Sequence, residues 1–379
     1  MLKKFTTLLG LVFAVMMLAA GLVHAAEGPA NVETLAGVGN HGSLDGEEAL
    51  FNMPHGIVSG SDGEIMVADT FNSLIRTIDS DGLVGTLNYR FPAFNVWGFP
   101  IGAHIDREVE EAFFNRPSGF AWAFADWLLV ADTHNHAIRV IIRDRVYTVA
   151  GGFGGGFEDA AWLDARFSYP TALAFCASGY IYVADTGNHA IRRIDRLGNV
   201  TTVAGVPGEY GYHNDEAFAA LFDTPMGLAI CDEGRLFVAD TGNNVIRVIE
   251  NGQVSTLAGL RVAAEDEILD EWGNVAVGGF LDGDVSEALF NRPFGLVFWG
   301  DVLFVADSGN HAIRVVVDGS EVITIAGTGY PGYDDGDFAE AMFFHPSGLY
   351  VFGDMLLVAD TGNNMIRRID LVAVLDLLE

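Results

Sequence analysis

The sequence carries little positive charge. Its only lysines are Lys3 and Lys4, and lysine and arginine together number 20 against 51 acidic residues, which gives a formal net charge of −31 at pH 7. A surface this negative repels the phosphates of nucleic acids and the headgroups of anionic lipids. We therefore expect no nucleic acid partner and no membrane insertion once the leader described below is removed.

The usual catalytic signatures are missing too. There is no Gly-x-Ser-x-Gly nucleophile elbow and no His-Glu-x-x-His zinc motif. The glycine-rich run 151–156 lacks the Lys-Ser/Thr ending of a phosphate-binding loop, so we interpret it as a connection between repeats. Cysteine is limited to Cys176 and Cys231, and neither has an evident activating partner in the sequence. These absences weigh against an enzyme.

The first 25 residues predict a secretory signal peptide. Lys3 and Lys4 form a positive start, an apolar run from Phe5 to Leu22 follows, and short side chains lead to Ala25. This order is typical of a cleaved leader, and retention as a membrane anchor is the alternative. We expect cleavage after Ala25, a secreted or cell-envelope location, and a single domain over 26–379.

Four markers recur six times in fixed register along the rest of the chain. An apolar-Ala-Asp phrase ends at Asp69, Asp132, Asp185, Asp240, Asp307 and Asp360. Seven residues later comes Arg76, Arg139, Arg192, Arg247, Arg314 or Arg367. A proline precedes each aspartate by 14 or 15 residues, at Pro54, Pro117, Pro170, Pro225, Pro293 and Pro346. Three residues before each proline is Phe51, Phe114, Phe167, Phe222, Phe290 or Phe343.

Each unit predicts four short strands. In the fourth unit the first strand starts after Pro225, and Arg235–Asp240, Val245–Ile249 and Val254–Gly259 supply the others. The intervening Thr-Gly-Asn-Asn phrase is typical of a tight turn. Four-stranded units repeated around an axis hide their sheet edges by closing a ring. The sequence therefore predicts an all-β fold, a six-bladed β-propeller.

The repeat resembles the NHL repeat, which is named after an Asn-His-Leu triplet. The matching triplets begin at Asn72, Asn135, Asn188, Asn243, Asn310 and Asn363. The resemblance covers essentially the whole chain after the leader and implies a secreted, bacterial-type six-bladed propeller. It implies no single function, because this repeat serves binding proteins and enzymes alike.

The two ends of the repeat region suggest how the ring closes. No Thr-Leu-Ala-Gly phrase follows the sixth unit, whereas an orphan copy of it, Val32–Gly37, precedes the first. We expect this N-terminal segment to supply the outer strand of the last blade. The alternative is that Leu371–Leu378 supplies it.

Residues present in every unit are expected to hold the blades together. We interpret the aspartate and arginine markers as structural pairs, in which each aspartate accepts hydrogen bonds from the backbone amides of the following hairpin. A ring of carboxylates that binds a metal ion is the alternative. His136, His189 and His311 fall on the family's own His position in the turn, so we interpret them as part of the repeat and not as metal ligands.

The cysteines occupy equivalent positions in two adjacent units. Cys176 and Cys231 lie nine residues before Asp185 and Asp240, respectively. A disulfide needs Cα atoms within about 7 Å, and equivalent sites on neighbouring blades usually stand further apart. We expect two buried thiols.

The position after each proline differs between units and lies near the mouth of the central channel if the first strand is innermost. It holds His55, Ser118, Thr171, Met226, Phe294 and Ser347. We take His55 and Ser118 as candidate binding residues. Peptidylamidoglycolate lyase, a propeller enzyme of similar repeats, has metal-binding histidines in several Pro-His phrases, but only Pro54-His55 matches here. Because a catalytic zinc site wants three protein ligands, we assign no metal ligands and do not expect that activity.

Two longer connections, 88–105 and 260–280, interrupt the repeat three blades apart, so they should face each other across the axis. Trp97 lies in the first and Trp272 in the second, and Arg116 and Arg292 follow them in matching Phe-Asn-Arg-Pro phrases. Aromatic and arginine side chains are favoured at recognition surfaces, so these four are candidate binding residues. The alternative is that the aromatic residues only pack the loops against the blades.

Acidic phrases lie in the other connections between blades. Asp45, Asp282 and Asp335 each precede a glycine, which is typical of a turn. Calcium binding is the alternative, although the spacing does not follow the EF-hand loop. We therefore expect no cofactor, with Ca²⁺ as the one ion that these connections could hold.

We expect an exported, non-catalytic binding or scaffold module for a protein, peptide or glycan. This expectation depends on the repeat, the leader and the missing catalytic signatures. The first alternative is a propeller hydrolase or lyase that resembles gluconolactonase and holds a divalent metal ion in its central channel. The second is a purely structural module of an envelope assembly.

Overall fold

The computed structural model describes residues 32–60, 62–88, 102–124, 126–152, 154–231, 233–263 and 276–378. The strands in these residues form six antiparallel sheets of four or five strands and one two-stranded ribbon. The predicted six-bladed, all-β propeller is confirmed. The predicted signal peptide, Trp97 and Trp272 lie outside the described residues.

The chain runs through the blades in order after β1 (Val32–Ala36). Blade 1 comprises β2 (Pro54–Ser59), β3 (Ile65–Asp69), β4 (Leu74–Ile78) and β5 (Val84–Thr86). Blade 2 comprises β6 (Pro117–Ala123), β7 (Trp127–Asp132), β8 (Ala137–Ile142) and β9 (Arg145–Gly151). Blade 3 comprises β10 (Pro170–Phe175), β11 (Ile181–Asp185), β12 (Ala190–Ile194) and β13 (Val200–Ala204).

Blade 4 comprises β14 (Pro225–Ile230), β15 (Leu236–Asp240), β16 (Val245–Glu250) and β17 (Gln253–Ala258). The ribbon of β18 (Val262–Ala263) and β19 (Ala276–Val277) follows it. Blade 5 comprises β20 (Gly283–Asp284), β21 (Pro293–Trp299), β22 (Val302–Asp307), β23 (Ala312–Val317) and β24 (Glu321–Ala326). Blade 6 comprises β25 (Pro346–Phe352), β26 (Met355–Asp360) and β27 (Met365–Asp370), and helix α1 (Leu371–Leu378) ends the described chain. None of the helices in these residues has the length and apolar character needed to span a bilayer.

The N-terminal strand closes the ring. Strand β1 pairs antiparallel with β27, with Val32 opposite Ile369 and Thr34 opposite Arg367, so it is the outer strand of blade 6. The segment Leu371–Leu378 forms a helix instead of a strand. The prediction that the N-terminal segment closes the ring is therefore confirmed.

The apolar cores lie between neighbouring blades. There are six buried clusters, and each combines side chains from two adjacent blades. The second strands face a neighbour on both sides, which is why phrases such as Ile65-Met-Val-Ala-Asp69 are apolar throughout. One marker phenylalanine lies in each cluster: Phe51, Phe114, Phe167, Phe222, Phe290 and Phe343.

The first strands are innermost and pack backbone against backbone. Each contacts the first strands of the two neighbouring blades. A Cβ added to the glycine two residues after the proline would come within 1.8 to 2.5 Å of a carbonyl oxygen on the next blade, at Gly56, Gly119, Gly227, Gly295 and Gly348. Because glycine permits this approach, the axis is narrow, and the cavity that the first strands enclose measures only about 80 Å³.

The hairpin between the second and third strands is a single turn of 3₁₀ helix. These turns span Thr70–Asn72, Thr133–Asn135, Thr186–Asn188, Thr241–Asn243, Ser308–Asn310 and Thr361–Asn363. Two further 3₁₀ turns, Val109–Glu111 and Trp162–Asp164, lie in connections between blades. A left-handed residue with φ of 53° to 57° ends each hairpin turn, at Ser73, His136, His189, Asn244, His311 and Asn364. We call this last position the turn residue.

The marker aspartate and arginine form a buried ion pair in every blade. The pairs are Asp69–Arg76, Asp132–Arg139, Asp185–Arg192, Asp240–Arg247, Asp307–Arg314 and Asp360–Arg367, at 2.6 to 2.9 Å. Each arginine also lies 5.0 to 5.2 Å from the centre of the marker phenylalanine ring. All twelve charged side chains are fully buried. The four sequence markers thus meet in one cluster.

The hydrogen bonds of the aspartates differ from the prediction. In blade 3, Asp185 Oδ1 accepts the backbone N–H of Ser168 at 2.7 Å, and its Oδ2 accepts Asn188 Nδ2 at 2.8 Å. This N–H belongs to the segment before the proline. The prediction that the aspartate accepts N–H groups of the following hairpin is wrong, since the side chain of Asp185 makes no hydrogen bond that caps its turn. The same bonds recur in the other blades. Each aspartate therefore ties the hairpin to the start of its own blade.

A second acidic residue lies on the outer side of most of the arginines. Asp45, Asp106, Asp159, Asp282 and Asp335 each pair with the arginine of their blade. In blade 4 the amide oxygen of Asn214 takes this place, 2.7 Å from Arg247 Nη2. The acidic phrases between blades are therefore part of the ion-pair cluster as well as turns.

Burial raises the pKa of the six aspartates to about 6, against the opposing effects of the arginine and the hydrogen bonds. The carboxylates consequently stay ionised at neutral pH. Removing the arginine would leave a buried charge without a counter-charge, which typically costs about 3–5 kcal/mol.

We predict that Arg192→Met lowers the free energy of unfolding by about 3 kcal/mol or more, because Asp185 then lacks its buried partner. Thermal and urea unfolding of the variant and the wild type measure the change. Arg196→Met, at an exposed position four residues away, is the matched control and should change stability by less than about 0.5 kcal/mol. Equal effects of the two substitutions would contradict a structural role for the pair.

Candidate functional site

The six 3₁₀ turns lie on one face of the propeller, which we call the hairpin face. The start of every first strand lies on the same face, since each marker proline is paired with its marker aspartate, as in Pro54 opposite Asp69. The connections from one blade to the next also cross this face. Any ligand that bridges several blades near the axis therefore meets the residues around the prolines.

The residue before each proline has a left-handed backbone. Its φ lies between 45° and 52° at Met53, Arg116, Tyr169, Thr224, Arg292 and His345. Such a conformation costs a residue with a side chain about 1–3 kcal/mol and persists only where its surroundings enforce it. Here the enforcing contact is a hydrogen bond between blades: each of these residues donates its backbone N–H to the turn residue of the preceding blade over 2.6 to 3.1 Å.

The repeat histidines serve as these acceptors. His136 Nδ1 accepts the N–H of Tyr169 at 3.1 Å, His189 Nδ1 that of Thr224 at 3.0 Å, and His311 Nδ1 that of His345 at 3.1 Å. A ring nitrogen that accepts a hydrogen bond carries no proton, so these rings are neutral. Burial, and then the neighbouring His345, lowers the pKa of His311 to about 4. Their interpretation as part of the repeat agrees with this geometry.

A second hydrogen bond joins the blades closer to the axis. The first hydroxyl of the 3₁₀ turn donates to the carbonyl of the marker proline in the next blade, over 2.6 to 2.8 Å, from Thr70, Thr133, Thr186, Thr241 and Thr361. Ser118 and Ser347 add hydroxyl contacts to Thr133 and Thr361 at 2.6 and 2.5 Å. Most hydroxyl groups around the axis are therefore engaged in holding the ring together.

Side chains on this regular backbone break the sixfold symmetry. His55 Nδ1 lies 3.0 Å from the carbonyl oxygen of Met53, which accepts its proton, and the ring lies 5.4 Å from that of Phe294 on blade 5. Burial lowers the pKa of His55 to about 4, although the hydrogen bond to Met53 opposes this, so the ring is neutral at pH 7. His55 and Phe294 thus meet across the mouth of the narrow axis.

A cavity of about 570 Å³ opens on the hairpin face beside this contact. We call it the hairpin-face cavity. Its lining comes from blades 1, 4, 5 and 6 and includes Met53, His55, Met226, Arg292, Phe294 and His345. A volume in the range of about 300–1,000 Å³ suits a small ligand or the end of a chain. A second cavity of about 490 Å³ lies on the opposite face between blades 4 and 5, next to Cys231.

The predicted site residues divide into two groups. His55 and Arg292 line the hairpin-face cavity, whereas Ser118 lines only the small axial cavity. Arg116 occupies the position equivalent to Arg292 on the opposite blade, and its guanidinium stacks on the Phe71 ring at 4.3 Å. The structure therefore brings His55 and Arg292 together and leaves Arg116 apart from them.

Sequence reasoning missed the position before the proline. It carries five different kinds of side chain on six equivalent backbones, and three of these residues, Met53, Arg292 and His345, line the cavity. Variation at one fixed position of an otherwise regular repeat was the signal that could have found it. Only the arginines were taken as candidate binding residues there, through their Phe-Asn-Arg-Pro phrases.

The rim of the hairpin face carries exposed aromatic side chains. Tyr210 and Tyr330 are 70% and 73% exposed, and Tyr169 and Phe71 are 45% and 40% exposed. Tyr210 and Tyr330 lie in connections between blades, and Tyr169 precedes a marker proline. Aromatic side chains at such positions offer contact area at low entropic cost.

The described residues hold no group of three or more His, Cys, Asp or Glu side chains that could bind a metal ion. Cys176 and Cys231 are free thiols, as predicted, but both are partly exposed instead of buried. They begin the turns between first and second strands, where Ser178 and Glu233 are their hydrogen-bond partners.

The NHL repeat family model matches residues 51–86 and 167–194. The chain is 32% identical over 281 residues to Protein SUPPRESSOR OF QUENCHING 1, chloroplastic, of Arabidopsis thaliana, a match that covers 70% of this chain and 26% of that protein. It is 28% identical over 334 residues to NHL repeat-containing protein 2 of Gallus gallus, which covers 64% of this chain and 45% of that protein. The matches thus span less than half the length of these relatives.

Solved propellers share the fold. An auxiliary nutrient binding protein from Bacteroides thetaiotaomicron superposes with a TM-score of 0.63 at 14% identity, over 90% of this chain and 76% of that one. An inactive variant of the virginiamycin B lyase from Staphylococcus aureus superposes with a TM-score of 0.51 at 14% identity, over 89% and 98%. At such low identity the similarity shows the fold alone, and it includes both a binding protein and an enzyme.

We predict that His311→Asn reduces the loss of folding stability that occurs as the pH falls from 6.5 to about 4. Asparagine already serves as acceptor at Asn244 and Asn364, so the hydrogen bond between blades is kept. In the wild type, the unfolded His311 takes up a proton as the pH falls below 6.5, whereas the folded one resists until about 4, so stability is lost over that range.

The melting temperatures of variant and wild type should therefore match at pH 7.5, and the variant should melt a few degrees higher at pH 5. The comparison at pH 7.5, above the ordinary pKa of histidine, is the internal control for any effect of the substitution that does not involve protonation. A difference between His311→Asn and wild type that does not vary with pH would show that the ring does not act as a neutral acceptor.

Proposed function

Because the chain is a six-bladed β-propeller built of NHL repeats, we propose that it is an exported, non-catalytic binding or scaffold module whose hairpin face holds a protein, peptide or glycan. The observation that carries this proposal is the hairpin-face cavity, which opens among side chains that break the symmetry of the ring. Symmetric residues maintain the fold, so a ligand that recognises this protein in particular must contact the asymmetric ones.

The rim supports a ligand larger than the cavity itself. Tyr210 and Tyr330 stand 70% and 73% exposed in connections on the hairpin face. An aromatic ring exposed to this extent loses contact with water when a partner covers it, and tyrosine is enriched where proteins bind other molecules. The cavity and the tyrosines together favour recognition of an extended ligand.

An enzymatic role in the axial channel has less support. His55 uses Nδ1 in a hydrogen bond to the carbonyl of Met53, two residues earlier, and packs against Phe294, and the axial cavity measures only about 80 Å³. The five equivalent positions in the other blades hold no second histidine. A hydrolase or lyase that resembles gluconolactonase would need other ligands for its metal ion.

Export is part of the proposal and is supported by the sequence of the first 25 residues, which precede the described part of the chain. The strongly acidic composition suits a protein that stays dispersed outside the cell. The relatives are longer than the matched region, so their whole activities are not transferred to this chain.

Peptide and glycan arrays would first identify ligands that the wild type binds. We predict that the double substitution Tyr210→Ala and Tyr330→Ala weakens the binding of these ligands by about tenfold or more. The affinity of each retained ligand would be measured by titration calorimetry. Tyr147→Ala, which removes a 45% exposed tyrosine from the outer strand β9, is the matched control and should bind normally. Equal affinity in all three proteins would place the binding surface elsewhere, and no retained ligand for the wild type would reject the proposal.

We also predict that the purified protein contains far less than one equivalent of zinc or calcium when measured by mass spectrometry of the elements. A single axial histidine is too few for a catalytic zinc site, which uses three protein ligands. One equivalent of either ion in the wild type, absent from His55→Ala, would instead favour the hydrolase or lyase.

A further inference from the structure

The hairpin-face cavity has the opposite charge character to the rest of the chain. The chain has 51 acidic residues and a formal net charge of −31, yet the described residues that line this cavity include no aspartate or glutamate. Arg292 lines it and supplies a permanent positive charge. An acidic protein that keeps carboxylates out of one cavity and places a guanidinium there offers that cavity to an anionic group.

The guanidinium of Arg292 is available for a ligand. The backbone N–H of Arg292 donates to Asn244 at 2.6 Å and so fixes the strained residue, but within the part of the chain that the structure describes no acceptor or carboxylate contacts its side chain. The marker arginines differ, because each is buried in an ion pair, and Arg116 stacks on Phe71. Arg292 therefore keeps the planar set of donors that grips a carboxylate with two parallel hydrogen bonds.

The other polar groups in the cavity are mostly occupied. Thr241 donates to the carbonyl of Pro293 at 2.7 Å, and the hydroxyls of Ser347 and Thr361 lie 2.5 Å apart. His345 Nδ1 donates to the carbonyl oxygen of Ser308 over 3.1 Å. Burial lowers the pKa of His345, the charge of Arg292 lowers it further, and the hydrogen bond to Ser308 opposes both effects. These groups hold the fold, so they offer few donors to a highly polar ligand.

The remaining wall is apolar. Met53, Met226 and Phe294 approach from blades 1, 4 and 5, and His55, neutral at pH 7, packs against Phe294. Methionine adapts its shape to different apolar partners, and an aromatic ring adds a flat contact. The cavity thus pairs one cationic group with an apolar surface.

We propose that the hairpin-face cavity binds the C-terminal residue of a peptide, with Arg292 holding the terminal carboxylate and the methionines and Phe294 contacting an apolar side chain. This inference deepens the proposed function and rests on it. A peptide fits because Tyr210 and Tyr330 lie exposed in the connections that lead into blades 4 and 6, two of the blades that line the cavity, and the preceding residues of the peptide would lie against them. The surrounding negative charge disfavours ligands with several anionic groups, such as nucleic acids.

The test compares one peptide in two forms that differ only in the terminal charge. N-acetyl-Gly-Ala-Leu is titrated as the free acid and as the carboxamide into the full-length protein by calorimetry at pH 7.5. The wild type should bind the acid at least about tenfold more tightly than the amide, since only the acid can accept two charged hydrogen bonds from Arg292. Arg292→Gln should remove this preference.

Arg116→Gln is the matched control, because Arg116 follows the same Phe-Asn and has the same left-handed backbone, with φ of 49° against 52° at Arg292. It should keep the preference for the acid. Equal melting temperatures of the two variants and the wild type would show that neither substitution disturbs the fold.

Two results would overturn the inference while leaving the proposed function intact: equal binding of acid and amide by the wild type, or a preference that survives in Arg292→Gln. In both cases the peptide binds but the carboxylate is not read by Arg292. Absence of binding by either form at millimolar concentration would also reject the inference. The array experiment with the tyrosine variants then decides the proposed function separately.

Discussion

The buried pair of aspartate and arginine is the interaction on which the rest of the structure depends. In blade 3, Asp185 reaches back to the amide of Ser168, forward to Asn188 and across to Arg192, which also reaches Asp159 in the connection before the blade. One charged cluster therefore fixes the hairpin, the start of the first strand and the incoming connection. The arginine neutralises the one carboxylate that is fully buried, while the second carboxylate, Asp159, is 40% exposed, so the pair can be buried in every blade.

The pair also fixes the backbone at the position before the proline, where several side chains line the hairpin-face cavity. By fixing the segment before the proline, it presents the next amide to the turn residue of the preceding blade, and this contact enforces the left-handed backbone at Arg292 and His345. Strain that would be costly in isolation is thereby imposed identically around the ring. The backbone is regular, so the side chain at this position is free to vary without loss of the fold.

The sequence was enough to predict most of the fold, because the four markers are the residues that meet in the buried cluster. Closure by Val32–Ala36 was also predictable, since the orphan phrase matched the outer strands of the other blades. The partners of the aspartates were not, because Ser168 and Asp185 are 17 residues apart and only the folded blade brings them together. The candidate site could be predicted only in part. Arg292 and His55 were candidates and line the cavity, but Met53 and His345 carry no motif, and the cavity forms from four blades that no local pattern links.

Because β1 closes the ring, blade 6 is complete only after two segments far apart in the sequence have paired. Strand β1 spans residues 32–36, and its partner β27 spans 365–370, so almost the whole chain must be synthesised before the two can pair. Contacts between such distant segments slow folding, because the loop between them must be ordered first. Until β27 has been synthesised, the edge of β1 lacks its partner, and an unpaired strand edge is open to pairing with other chains.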